Sequence, residues 1–191
     1  CRYCGEKIGP LSSYMELFCG ILFALSYFVF GFSYELLIAL GIVALLIIIS
    51  VSDISYYIIP DELLIFFSGY FIIINCLSHG VLYSLFSILS GMCLFGVMYL
   101  IMIFGNFLFK KDSLGGGDIK LMFVFGLVIN PLLGLFVIFL ASFLALPISL
   151  LILWKRKVNL VPFGPFLVIS FMFIYFTRIN LDMILIFIRG F

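Results

Sequence analysis

Charge is what this sequence has least of. Lys, Arg, Asp and Glu together make up 10% of its 191 residues, against roughly a quarter in an ordinary soluble domain, and that shortage excludes a water-soluble globule. A formal net charge of +1 also excludes the clustered excess of Lys and Arg that a nucleic-acid surface needs, so no nucleic-acid partner is expected. There is one histidine, His79, with no second histidine near it; it reads as a surface residue in an outer loop and not as a ligand. No cleavable signal peptide is visible. Cysteine is sparse and odd in number, at positions 1, 4, 19, 76 and 93. The last three fall in apolar runs and read as small buried hydrophobes, which leaves Cys1 and Cys4 to be explained.

Apolar residues occupy the rest: 66% hydrophobic, 19% aromatic, with a mean hydropathy of +1.41. This is the composition of an integral membrane protein. Apolar runs at about 16–32, 35–52, 60–78, 81–104, 119–130, 131–154 and 160–177 mostly approach the ~20 residues that cross a bilayer core. Backbone groups in lipid must be satisfied within the segment, so the runs are expected to be helices. The predicted fold is all-α, a polytopic bundle of about seven transmembrane helices. Residues 1–15 are polar and turn-rich and read as the remnant of a cytoplasmic, water-exposed domain, with more chain expected upstream of Cys1; residues 16–191 form the transmembrane domain. The tail from Leu181 to Phe191 is too short to span by itself.

Orientation follows from the basic residues, which favour the cytoplasmic side. An inside N-terminus and seven crossings put Arg2, Lys7, Lys110, Lys111, Lys120, Lys155, Arg156 and Lys157 inside and leave Arg178 and Arg189 outside. The same alternation brings the connections around 53–60, 106–117 and 154–159 to the cytoplasmic face. Asp53 and Asp118 are then expected at one membrane depth.

Those two acids carry the chemistry. Asp118 follows three glycines, Gly115, Gly116 and Gly117, at the mouth of an apolar run, and a carboxylate at such a threshold is a functional candidate. The glycines can take φ > 0 or let another backbone come close; at least one is expected to do so. Asp118 opens a helix whose free N–H groups favour an anion, so its pKa should be lowered. Asp53 closes a long apolar run at a helix C-terminus, where the macrodipole disfavours negative charge and packing alone calls for no acid. Two carboxylates in contrasting environments can share one proton, one polarising water as base while the other protonates a carbonyl, as in aspartic proteases.

The remaining polar residues have plainer readings. Pro60, Asp61 and Glu62 look like a helix start, with a role of Asp61 in the site left open. Lys120 reads first as a snorkelling side chain and second as a counter-charge to the nearby acid. Glycines 31, 41, 69, 91, 96, 105, 126 and 134 read as close helix contacts.

In order along the chain, Asp53 with Pro60-Asp61 beyond it, Gly115-Gly-Gly-Asp-Ile-Lys-Leu-Met122, and Val161-Pro-Phe-Gly-Pro-Phe-Leu167 resemble the three signature blocks of the prepilin leader peptidases. Cys1-x-x-Cys4-Gly, with Tyr14, Glu16 and Leu17, resembles the second cysteine pair of their cytoplasmic domain. The resemblance implies a multi-pass aspartic endopeptidase of the bacterial plasma (inner) membrane, cutting the short basic leader from prepilins or pseudopilins at the cytoplasmic face. Asp53 and Asp118 would be its catalytic pair, with Gly115, Gly116, Gly117, Asp61, Lys120, Pro162 and Gly164 binding or positioning substrate, and a flexible loop from Phe107 to Gly117 as one wall. Acids at the face, Asp61, Glu62 and Asp112, would attract the leader. Many members also methylate the new N-terminus with S-adenosylmethionine and carry two C-x-x-C pairs that hold zinc. A closed zinc site needs four ligands, so Cys1 and Cys4 could hold one only with residues upstream. The peptidase itself needs no cofactor. Expected partners are the prepilin substrate and membrane lipid. The alternative is a small proton- or cation-coupled transporter using Asp53 and Asp118 as a relay, which would place them near mid-membrane.

Overall fold

The computed structural model describes residues 10–56, 58–110, 114–156 and 163–178. They form seven helices, α1 (Pro10–Phe30), α2 (Tyr34–Tyr56), α3 (Asp61–His79), α4 (Val81–Phe109), α5 (Gly116–Gly126), α6 (Pro131–Arg156) and α7 (Gly164–Phe176), with no strand among the described residues. Cys1, Cys4, Asp112, Pro162 and the tail beyond Arg178 lie outside them. The polar segment expected to run to residue 15 is already helical from Pro10, since proline at a helix start forfeits only an N–H that has no helical partner.

Two glycines end helices in ways other residues would resist. Gly31, at φ +57°, closes α1 with its N–H on the Tyr27 carbonyl. Gly80, at φ +88°, is the one residue between α3 and α4, so these two helices form a tight antiparallel hairpin. Gly31 is therefore a turn glycine and not a helix contact.

Among the described residues four helices are long and apolar enough to cross a bilayer: Tyr34–Asp53 of α2, Asp61–His79, Val81–Leu108 of α4 and Pro131–Leu151 of α6. The seven expected helices are present, two of them short. α5 has 11 residues and α7 has 13, short of the ~20 that span at ~1.5 Å each. After α5 the chain runs on as a non-helical stretch over 127–130, with Leu127 and Ile129 buried. Its carbonyls are met from neighbouring helices: Asn75 Nδ2 donates to Leu127 O at 2.7 Å and Ser90 Oγ to Ile129 O at 2.8 Å. Irregular backbone is tolerated at membrane depth when protein supplies such partners.

α5 is the buried centre. Ile119, Leu121, Met122, Val124 and Phe125 are all within the core, and Phe125 stacks on Phe171 of α7 at 4.0 Å. α4 packs on α5 through backbone contact: a Cβ at Gly126 would stand 2.5 Å from Gly91 Cα. At the end far from Asp53, Arg178 joins Glu35 at 2.9 Å and lies over the Phe30 ring, tying α1, α2 and α7 together. The outer surface is apolar, with Phe28, Phe66, Phe86 and Phe107 mostly exposed; a patch of that extent is lipid-facing.

Candidate active site

Three helix ends converge on one pocket. α2 brings Asp53 at its C-terminal end, the turn into α3 brings Ile58, Ile59 and then Asp61, and the start of α5 brings Gly115, Gly116, Gly117 and Asp118; together they line a cavity of about 190 Å³. The turn is held by Ser52 Oγ, which donates to the Ile58 carbonyl at 2.6 Å. Ile59 precedes a proline, which disfavours helix there and keeps the chain extended, and its side chain turns inward at 8% exposure.

Both carboxylates are buried, each 7% exposed. Asp53 Oδ2 accepts the N–H of Gly164, the first residue of α7, at 3.1 Å. The acid therefore has the structural reason that sequence reading did not find: it satisfies a free N–H at a helix start. A Cβ at Gly164 would stand 2.7 Å from that same oxygen, so the position is restricted to glycine. Gly164 is brought into the site as expected, through its backbone.

Asp118 reverses an expectation. It does open α5, but burial pushes its pKa up to about 7, the Asp53 charge adds to the rise, and a backbone hydrogen bond with Gly115 opposes it. Desolvation of the charged form outweighs the helix terminus. The acid that the helix start was expected to keep ionised is the one that holds a proton near neutrality.

The glycine run also works differently from expectation. Among the described residues only Gly31 and Gly80 are glycines of positive φ, and Gly115 is extended at φ −70°. Gly116 and Gly117 belong to the helix. What Gly117 provides is closeness: an added Cβ would come within 2.9 Å of Ile59 Cβ. The absent side chain lets α5 rest on the turn that follows Asp53, and so sets the two acids side by side. Gly115 faces Asp118, with a Cβ there 3.3 Å from Oδ2, whereas Gly116 borders open space.

Lys120 does not snorkel free. Its Nζ sits 2.7 Å from both carboxylate oxygens of Asp61, in an ion pair whose side chains are about half exposed. Asp61 is thus both the first residue of α3 and a wall of the pocket. Sequence reading missed this pairing and Ile59; an acid at one helix start and a lysine one turn into another helix on the same face were the signal for the first. The expected wall from Phe107 to Gly117 is not all loop, since α4 continues through Phe109. His79 is exposed, against the Tyr83 ring, and Cys93 is exposed while Cys19 and Cys76 are half-buried. Among the described residues no group of three or more His, Cys, Asp or Glu could hold a metal.

Two buried, electrostatically interacting carboxylates beside a small cavity at a membrane-protein helix end can hold one proton and polarise a water between them. Comparison with known proteins bears on this geometry. The sequence profile described as the type IV leader peptidase family matches residues 40–150, which include both acids. A protein named prepilin leader peptidase/N-methyltransferase from Bacillus subtilis strain 168 is 35% identical over 130 residues, 68% of this chain and 50% of its own length. One of the same name from Stutzerimonas stutzeri is 30% identical over 185 residues, 89% of this chain and 60% of its own length. The chain thus spans about half the length of these relatives. No solved structure matches.

Proposed function

This chain belongs to the type IV leader peptidase family, and from that premise we propose that it is a membrane aspartic endopeptidase that removes the leader from prepilins or pseudopilins. The observation that carries the reading is that Asp53 and Asp118, 65 residues apart in sequence, line one cavity, where the Asp53 charge helps to raise the Asp118 pKa. In the proposed step Asp118 holds the shared proton and donates it to the carbonyl oxygen of the scissile bond. Asp53 takes a proton from water as its oxygen adds to the carbonyl carbon. Collapse of the tetrahedral intermediate breaks the C–N bond as Asp53 gives the proton it took from water to the leaving amine, and a hydroxyl of the intermediate returns its proton to Asp118 as the new carboxyl group forms. Gly164 N–H holds the Asp53 carboxylate in place through that cycle.

The excess of basic residues on the connections near the acids supports a cytoplasmic active-site face in the bacterial plasma membrane. A prepilin with a basic leader and an apolar helix would then present its scissile bond at the depth of the two acids, and Asp61 and Glu62 at the start of α3 would draw the leader in. The relay alternative needs acids near mid-membrane; Asp53 and Asp118 stand at helix ends. The relatives' names join an N-methyltransferase to the peptidase. We extend that activity to this protein as a second step on the cleaved product, with S-adenosylmethionine as methyl donor; zinc at Cys1 and Cys4 would require further ligands.

The test is cleavage of a purified prepilin by the purified protein, read by mass spectrometry of the product's N-terminus. Asp53→Asn and Asp118→Asn should each lose nearly all activity, and the double variant should be little worse, because members of one catalytic unit are not additive. A folded single variant that retains wild-type cleavage would overturn the pair.

A further inference from the structure

Asp61 stands between two neighbours of opposite kind. On one side it borders the catalytic cavity together with Asp53 and Asp118. On the other it meets Lys120, which is not among the residues that border that cavity. Among the described residues the cavity is therefore lined by three carboxyl groups and no basic side chain, the rest being Ile58, Ile59 and the glycines at 115–117. Even with one proton shared by the catalytic pair, such a lining is negative and favours a positively charged group on whatever enters.

Of the three acids, Asp61 is the one such a group meets first. Asp53 and Asp118 are each 7% exposed, whereas the Asp61 side chain is 58% exposed, so Asp61 stands at the open side of the cavity. The hydrophilic leader, and not the apolar remainder of a substrate, belongs there. Its carboxylate is already occupied, because Lys120 Nζ lies 2.7 Å from both oxygens, which is the contact a substrate ammonium would make. A pair this exposed contributes little to stability, and the lysine is carried on a flexible stem, so one ammonium can be exchanged for another. Two cations on one carboxylate repel each other; the exchange is a displacement.

Resting on the proposed peptidase reading, we infer that Asp61 selects substrates with a cationic side chain in the leader close to the scissile bond, and that Lys120 is a built-in competitor for the same carboxylate. Asp61 is then a specificity-determining residue. The free protein holds this subsite closed with its own ammonium, and a leader lysine or arginine opens it by taking the place of Lys120. Asp61 and the two catalytic acids border one cavity, and an extended chain advances only ~3.3 Å per residue. The selected cation therefore lies among the last few residues of the leader, and basic residues further out gain nothing from Asp61.

The test presents the protein in proteoliposomes with prepilins whose leaders are neutral except for a single lysine, moved one position at a time back from the scissile bond, with glutamine and glutamate at the same positions for comparison. The readout is the ratio of kcat/KM for the lysine leader to that for the glutamine leader, which a general loss of activity in a variant does not move. In wild type the ratio should exceed one near the bond. Asp61→Asn should bring it to one, and Lys120→Gln should raise it by about threefold, the competition an exposed ion pair can exert, with both changes in KM. Exchanging the partners, Asp61→Lys with Lys120→Asp, keeps the ion pair and should turn the preference towards the glutamate leader. A ratio of one at every position in wild type overturns the inference. So does an exchanged variant that still prefers lysine, which is the result a purely structural strut between α3 and α5 gives. Binding of the same leaders, carrying a fluorophore, to the Asp118→Asn protein separates this from failure of the peptidase reading. If wild type cleaves none of them, a lysine preference in binding that Asp61→Asn abolishes still supports the subsite, and binding indifferent to leader charge overturns it.

Discussion

A carboxyl group pushed up to about 7 by burial and a neighbouring carboxylate is protonated over most of the acid range and loses its proton as pH rises through neutrality. If Asp118 is the proton donor, kcat/KM for prepilin cleavage should fall as pH rises past about 7, and it should fall again at low pH as the base is protonated, with both limbs belonging to the pair. A rate that climbs steadily from pH 6 to 9 would assign the roles the other way. The three glycines beside Asp118 should separate cleanly under alanine substitution. Gly117→Ala presses on Ile59 and should cost about 1–3 kcal/mol of stability. Gly116→Ala meets open space in a helix and should gain ~0.5–1 kcal/mol. Gly115→Ala should leave the melting temperature alone and lower kcat/KM, since its Cβ stands against the Asp118 carboxylate. Thermal unfolding in detergent beside the cleavage assay reads all three, and equal effects would refute the close-approach account.

At the scale of elements, the site depends on a helix that is too short to cross by itself. α5 delivers Asp118 at one end, and its other end is secured by side chains of α3 and α4 on the carbonyls of Leu127 and Ile129. Asn75→Leu leaves the Leu127 carbonyl buried without that donor. The expected cost is about 1–2 kcal/mol, read as a lower melting temperature, together with reduced cleavage because the anchored end sets the height of α5. A variant as stable and active as wild type would mean that the non-helical stretch holds its shape unaided. The Gly91–Gly126 contact acts with it, since no side chain separates α4 from α5 there.

For the whole molecule, the arrangement of helix ends makes a statement about sidedness. In a protein whose native cysteines are replaced, a cysteine introduced at Lys110, at the end of α4 nearer the acids, should react with a membrane-impermeant maleimide in inverted vesicles and not in spheroplasts. One at His79, at the α3–α4 turn, should do the reverse; the opposite pattern would place the acids on the wrong face for a cytoplasmic leader. The sequence by itself determined the membrane class and the helical fold and singled out the two acids and the glycines as candidates, because hydropathy, helix length and a charge at the edge of an apolar run are local properties of the chain. Tertiary structure alone decided what those residues do to one another. That α5 and α7 are short, that Lys120 is held by Asp61, that Asp53 caps α7 through Gly164, and that burial outweighs the helix terminus at Asp118 all depend on which helix ends meet. Desolvation and close approach are set by neighbours distant in the chain, and no local pattern encodes them.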